Sequence, residues 1–237
     1  MKVGMDRFNI SRHNKINNLI HNHLNTRLIE ENKFYFGGET LCSMKYGEYR
    51  ESVDIDFLTC DRNGMINMRL GENLISELPL WKGKQIKSDK DGIRFWVDFR
   101  GEAYKIEFIF ESRIVFNEPV RFETILSLDP VSHISCKLLA NADRGCGGEL
   151  QAHKDIIDIL VLYEHHGKKA LTDAWHMAYE AYGSWLVRCT EKSMQLKDFT
   201  KTLEILRMSP NLNDKFLMLM QSFSADISEL IIKNPER

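Results

Sequence analysis

Apolar residues recur along this chain with two different periods, and the change from one to the other divides it. Ile16, Leu19, Ile20, Leu24 and Leu28 repeat at three and four residues among Asn, His and Arg, which predicts one surface amphipathic helix near the start. Residues 33–36 then read as a short strand broken by Gly37 and Gly38, and residues 39–46 have helical composition stopped by Gly47. Apolar and polar residues alternate over 53–58, 94–99 and 104–110, so these segments read as strands of one sheet. Asp61-Arg-Asn-Gly64 and Arg100-Gly-Glu102 read as turns between segments.

After Asp129-Pro130 the period becomes helical throughout. Ile134, Leu138 and Leu139 begin it, and Ile156, Ile157, Leu160 and Tyr163 continue it. Ala170, Leu171, Ala174, Trp175 and Ala178 follow, then Phe216, Leu217, Met220, Phe223, Ile227 and Leu230. Stripes of this kind are core, so no function is assigned to them. The pattern predicts an α+β protein with a mixed α/β domain over residues 1–129 and an all-helical domain over 130–237, with no internal repeat.

Composition alters this picture little. At 237 residues the chain can bury one large core or two small ones. A net charge of −2 gives no overall attraction for nucleic acid, so RNA binding would need a local basic patch. Lys82, Lys84, Lys87 and Lys90 around Trp81 form the one local patch that invites an RNA reading, with a solvated loop the favoured account of it. Cys42, Cys60, Cys136, Cys146 and Cys189 have neither zinc-site nor secreted-disulfide spacing. The first residues lack a signal-peptide core and no run reaches the roughly 18 apolar residues of a membrane span. A reduced, cytoplasmic protein without a membrane partner is the expectation.

The chemistry concentrates in Phe34-Tyr-Phe-Gly-Gly-Glu-Thr-Leu41 and Arg50-Glu-Ser-Val-Asp-Ile-Asp-Phe57. Asp54 and Asp56, at i and i+2 of a strand, point to one face with backbones roughly 6–7 Å apart. That spacing suits divalent metal held beside a polyphosphate. Gly37 and Gly38 let backbone amides approach phosphate, and the following helix offers its free N–H groups. A third carboxylate is expected from a neighbouring strand, with Glu107 the first candidate and Asp98 its rival. Either Asp-x-Asp or Gly-Gly alone is common, and it is their order and spacing that point to nucleotide transfer.

These blocks, together with Lys105-Ile-Glu-Phe-Ile109, Lys137-Leu-Leu-Ala-Asn-Ala-Asp-Arg144 and Lys154-Asp-Ile-Ile-Asp-Ile159, resemble the AbiEii/AbiGii toxin-like nucleotidyltransferases of the DNA polymerase β-type superfamily. The resemblance runs over about residues 34–162. It implies transfer of NMP from an NTP to an acceptor hydroxyl, with tRNA the expected acceptor, no DNA, and a cognate antitoxin as partner. It further implies two Mg²⁺ ions on Asp54, Asp56 and Glu107, with Gly37, Gly38, Thr40 and Ser52 beside the phosphates. Lys137 and Asp155 correspond to a second pair of essential positions, with Arg50, Arg144 and Asp158 as further nucleotide contacts. Without the resemblance, Lys137, Arg144, Asp155 and Asp158 read as an ordinary solvated helix face. Two other readings stay open: the same chemistry on a small molecule or protein, and a weakened relative that only binds.

One position departs from the family pattern. Where similar sequences carry a small residue, Glu39 stands before Thr40. A carboxylate beside a triphosphate repels it unless it turns away or joins the metal shell.

His21 and His23 do not share a helix face and are not expected to bind metal. His165 and His166 precede Gly167 at an expected helix end, where positive charge is favourable. Cys146 sits in a glycine-rich turn with no partner for nucleophilic chemistry.

Overall fold

The computed structural model describes residues 7–70, 87–145 and 152–233. They form two compact units, Met1–Asp129 and Pro130–Arg237. Trp81, Lys82, Lys84 and Cys146 lie outside the described residues.

The first unit is built on a seven-stranded mixed sheet. Its strands are β1 (Tyr35–Gly37), β2 (Asp54–Thr59), β3 (Lys87–Asp89), β4 (Gly92–Phe99), β5 (Glu102–Phe110), β6 (Val120–Phe122) and β7 (Ile125–Ser127). Their order across the sheet is β3-β4-β5-β2-β1-β7-β6. Parallel pairing of β2 with β5 and antiparallel pairing of β1 with β2 put β2 inside the sheet. Alternation then sorts its side chains by face. Ile55 and Phe57 of β2 face the core with Ile106 and Phe108 of β5 and Phe95 and Val97 of β4. The Phe57 and Phe108 rings stack at 5.3 Å, and Phe34 meets Phe108 edge-on at 5.1 Å. Each buried aromatic of this kind stabilises the fold by about 2–3 kcal/mol. The opposite face of the same two strands is left to Asp54, Asp56, Lys105 and Glu107.

Helices α1 (Ser11–His23), α2 (Thr26–Glu31), α3 (Gly38–Lys45) and α4 (Arg62–Leu70) complete this unit. Ile16, Leu19 and Ile20 of α1 are buried as their spacing predicts. The helix does not continue to Leu28, however. Leu24 is extended, and the Asn25 side chain accepts from the Leu28 amide to start α2 afresh, which buries Ile29 instead of Leu28. A second expectation also fails. Asp61-Arg-Asn-Gly64 opens α4 rather than forming a turn, because Asp61 caps the helix by accepting from the Gly64 amide at 2.7 Å. The short strands β3, β6 and β7 carry too few residues to show a period and were not anticipated.

The second unit is helical wherever it is described: α5 (Pro130–Gly145), α6 (Ala152–Tyr182), α7 (Ser184–Met194), α8 (Thr200–Ile205), a 3₁₀ turn at Pro210–Leu212, and α9 (Asn213–Lys233). The expected stripes are its core, with Leu138, Leu139, Ile157, Leu160, Trp175, Phe223 and Ile227 essentially without exposure. Gly167 breaks α6 with φ 70° and ψ −172°, following His165 and His166 as expected. No helix among the described residues is long and apolar enough to cross a membrane. Cys42, Cys60 and Cys136 are free thiols.

Candidate active site

The site is assembled on β2. Asp56 stands in register with Glu107 on β5 and with Gly37 on β1, while Asp54 is opposite Lys105. Parallel pairing thus places the three carboxylates on adjoining positions of one face. Asp98, the rival third acid, lies opposite Ala103 towards the far end of β4 and is exposed, so it is removed from this group.

β1 leads into α3 through a turn that only glycine allows. Gly38 has φ +67°, and a Cβ there would come within 2.0 Å of Asp56 Oδ2. The backbone at the start of α3 therefore lies directly against the Asp56 carboxylate. Helix N–H groups, which are natural donors to phosphate, and carboxylates, which are natural ligands of hard cations, are brought side by side.

Two cations attend the acids. Arg94 Nε donates to Glu107 Oε1 at 2.6 Å and Lys105 Nζ to Glu107 Oε2 at 2.5 Å, so both oxygens of Glu107 are engaged. Lys105 also stands 4.0 Å from Asp54 Oδ2. Burial pulls the Lys105 ammonium down, but Glu107, Asp54 and Asp56 outweigh it and hold the group above the usual lysine range. Burial likewise lowers Arg94, and Asp89 and Glu107 more than restore it.

The donor chemistry fits Mg²⁺. Among the described residues no three His, Cys, Asp or Glu side chains form a group ready to hold a metal. Mg²⁺ does not require one, because it is bound through one or two carboxylates with waters and substrate phosphates completing its shell. Asp54 and Asp56 supply two such carboxylates.

The residues expected beside the phosphates divide into two sets. Gly37 and Gly38 lie at the turn itself. Thr40, Ser52 and Arg50 are each engaged within the protein. Thr40 and Ser52 are buried, and Thr40 Oγ1 lies within hydrogen-bond distance of both Ser52 Oγ, at 2.7 Å, and the Asp54 carbonyl, with one proton to give to either, so the pair braces α3 against β2. The Arg50 side chain is only 2% exposed and pairs through Nη2 with Glu39 Oε2 at 3.0 Å. Ser52 Oγ donates to the other Glu39 oxygen at 3.0 Å. The departure at Glu39 is thus met by an internal counter-ion.

Behind this loop is a residue the sequence reading missed. His13 is fully buried, with Nδ1 2.9 Å from Glu48 Oε1 and Nε2 accepting from the Ser52 amide at 3.4 Å. Nδ1 therefore carries the proton of a neutral ring. Burial is the main influence lowering its pKa, against the bond to Glu48. Glu48 itself has φ 52° and accepts from the Asn9 and Ile10 amides at 2.6 and 3.0 Å, which caps the start of α1. A polar residue within an apolar helix stripe was the only signal in the sequence.

The helical unit carries its own charged group. Lys137 on α5 stands 2.6 Å from Asp158 Oδ2 and 3.6 Å from Asp155 Oδ1, and Arg144 Nη2 is 2.5 Å from Asp155 Oδ2. Both aspartates of α6 have no exposure and Lys137 is buried, so this is not the solvated helix face that composition alone suggests. Burial raises the Asp155 pKa, opposed by Lys137 and Arg144. Neither Asp155 oxygen has an aligned hydrogen bond, so the contacts are ionic. The two remaining histidine pairs are plain. His21 bonds Thr124, His23 packs on Phe99, and His165 bonds the Val161 carbonyl.

A mixed sheet bearing strand carboxylates beside a glycine-led helix start defines an α+β protein of the nucleotidyltransferase class. The chain belongs to the nucleotidyl transferase AbiEii toxin family of type IV toxin–antitoxin systems, whose family model matches residues 23–230. It is accordingly a nucleotidyltransferase, and the family implies a cognate antitoxin.

The crystal structure of JHP933 from Helicobacter pylori is similar over 94% of this chain and 93% of its own, with a TM-score of 0.53 at 18% identity, which shows a shared fold. The crystal structure of a "putative nucleotidyltransferase from H. pylori" covers 82% of this chain and 96% of its own at 15% identity, and its TM-score of 0.38 carries no argument. No curated protein matches the chain.

Proposed function

We propose that this toxin is a Mg²⁺-dependent enzyme that transfers the NMP of an NTP to a hydroxyl of tRNA, acting in the cytoplasm. The observation that carries this reading is the contact of the Gly38 turn with Asp56, which brings phosphate-binding amides and metal-binding carboxylates together. In the reaction the acceptor oxygen bonds to the α-phosphorus, the bond to pyrophosphate breaks, and the hydroxyl proton is released.

Asp54 and Asp56 would hold Mg²⁺, two ions in the full site, with Glu107 joining as Lys105 yields it. The bound metal supplies neutralisation of phosphate charge and acidifies the attacking hydroxyl. The protein's part is to fix the reactants. Gly37, Gly38 and the first amides of α3 receive phosphate oxygens, and Thr40 and Ser52 keep α3 in place against β2. Lys105 adds positive charge on the same face. In the helical unit, Arg144, whose side chain is 38% exposed, is the cation open to a polyphosphate or RNA backbone, and Lys137, Asp155 and Asp158 hold its surroundings in place.

The tRNA acceptor is supported by Lys87 and Lys90, which are exposed on the edge strand β3 and in the turn that follows it. The test is incubation with Mg²⁺, total tRNA and each α-³²P-labelled NTP beside the Asp54→Ala/Asp56→Ala double variant. Label entering tRNA with the wild type alone is the expected result. Label on protein or a small molecule would move the acceptor to those classes, and no transfer to any acceptor would overturn the reading.

A further inference from the structure

The first turn of α3 holds a carboxylate where a triphosphate is to bind, and the structure shows how its charge is met. Gly38 abuts Asp56, so Glu39, the next residue, adjoins the carboxylate pair. Its side chain is 15% exposed, which leaves it open to the field of a bound ligand. Oε2 accepts from Arg50 and Oε1 from Ser52, so both of its oxygens have partners within the protein. The backbone around Arg50 is fixed in turn, because Ser43 Oγ donates to the Arg50 carbonyl and the Ser52 amide bonds His13. A guanidinium that is 2% exposed and paired with Glu39 cannot reach a phosphate without abandoning Glu39 beside it.

We infer that Arg50 is a positioning residue that cancels the charge of Glu39, so that the start of α3 accepts a nucleoside triphosphate, and that Arg50 does not itself bind phosphate. This rests on the nucleotidyltransferase reading above. The pair sums to zero charge, which leaves the amides and the dipole of α3 as the anion-binding element. Take Arg50 away and the Glu39 charge faces the polyphosphate without the Arg50 cation beside it. At about 7 Å and an effective dielectric of about 20, such a charge weakens binding on the order of 30-fold or more.

The experiment measures binding of a non-hydrolysable NTP analogue, with Mg²⁺, to full-length protein and three variants, with melting temperature showing that each is folded. Arg50→Met is expected to weaken binding by about 30-fold, and to raise KM with little change in kcat. Adding Glu39→Gln to that variant is expected to restore affinity to within about threefold of wild type. A direct phosphate ligand would not be rescued this way, so a double variant as weak as Arg50→Met would overturn the inference.

Should Arg50→Met fail to fold, Glu39→Gln alone decides. With Arg50 no longer neutralised it is expected to bind the analogue several-fold more tightly, and weaker binding would overturn the inference. Absence of binding by the wild type would overturn the functional reading and this inference together, whereas wild-type binding with no rescue overturns this inference alone.

Discussion

Each unit carries a cluster of acids and bases, and the two are built to opposite ends. On the β2–β5 face the Asp54 side chain is 30% exposed and Lys105 is 27% exposed. In the helices Asp155 and Asp158 have no exposure and Lys137 only 8%, with Arg144 the one member that reaches solvent, at 38%. Opposite charges near solvent are worth little to folding and can exchange partners when a ligand arrives. Buried charges are costly to desolvate, and each holds its partner because neither can return to water. The sheet cluster is therefore arranged to change partners, and the helical cluster to hold Lys137 and Arg144 in place.

Substitutions should separate the two. On the proposed reading, Asp56→Asn is expected to lower nucleotidyl transfer by about 10³-fold or more, since it removes a carboxylate that would hold the metal, while urea denaturation shows little loss of stability. Asp155→Ala should instead cost about 3–5 kcal/mol in denaturation by leaving Lys137 and Arg144 less compensated. If Asp155→Ala were as stable as wild type, the contrast would collapse. A smaller effect sharpens the sheet side. Lys105→Met frees a Glu107 oxygen and removes a competing cation, so about threefold less Mg²⁺ should half-saturate the rise in melting temperature.

The smallest effect concerns His13, whose pKa burial holds below the ordinary histidine value against the pull of Glu48 and Glu51, with Arg50 adding to the lowering. The folded state favours the neutral ring, so as pH falls the unfolded chain takes up this proton first. Stability is thus complete above the ordinary value of about 6.5, declines below it, and levels off once pH passes the folded pKa. His13→Asn should flatten this part of a melting-temperature profile between about pH 5 and 7.5, while His21 and His153, which burial also lowers, retain the rest.

Much of this was legible in the residues, for reasons that also explain the failures. Alternation over Ile55, Phe57, Ile106 and Phe108 marked the core face and thereby placed Asp54, Asp56 and Glu107 on the other, because strand period alone sorts the two faces. The helical stripes were legible for the same reason. What escaped depended on partners distant in sequence. Glu39 looked like an obstacle because Arg50, eleven residues on, is brought to it only by folding. Arg94 and Lys105 were silent until pairing of β4 with β5 set them around Glu107. The break after Leu24 and the cap at Asp61 are local hydrogen-bond choices by Asn25 and Asp61 that an apolar period does not register.

The central claim is that the β2 carboxylates serve transfer of a nucleotide rather than of a phosphate. Parallel reactions with Mg²⁺ and total tRNA, one with α-³²P-labelled and one with γ-³²P-labelled NTP, test it most directly. The account predicts α-label on the acceptor, γ-label released as pyrophosphate, and neither event with Asp54→Ala/Asp56→Ala. Transfer of γ-label to the acceptor, or α-label transfer that survives the double substitution, would contradict it.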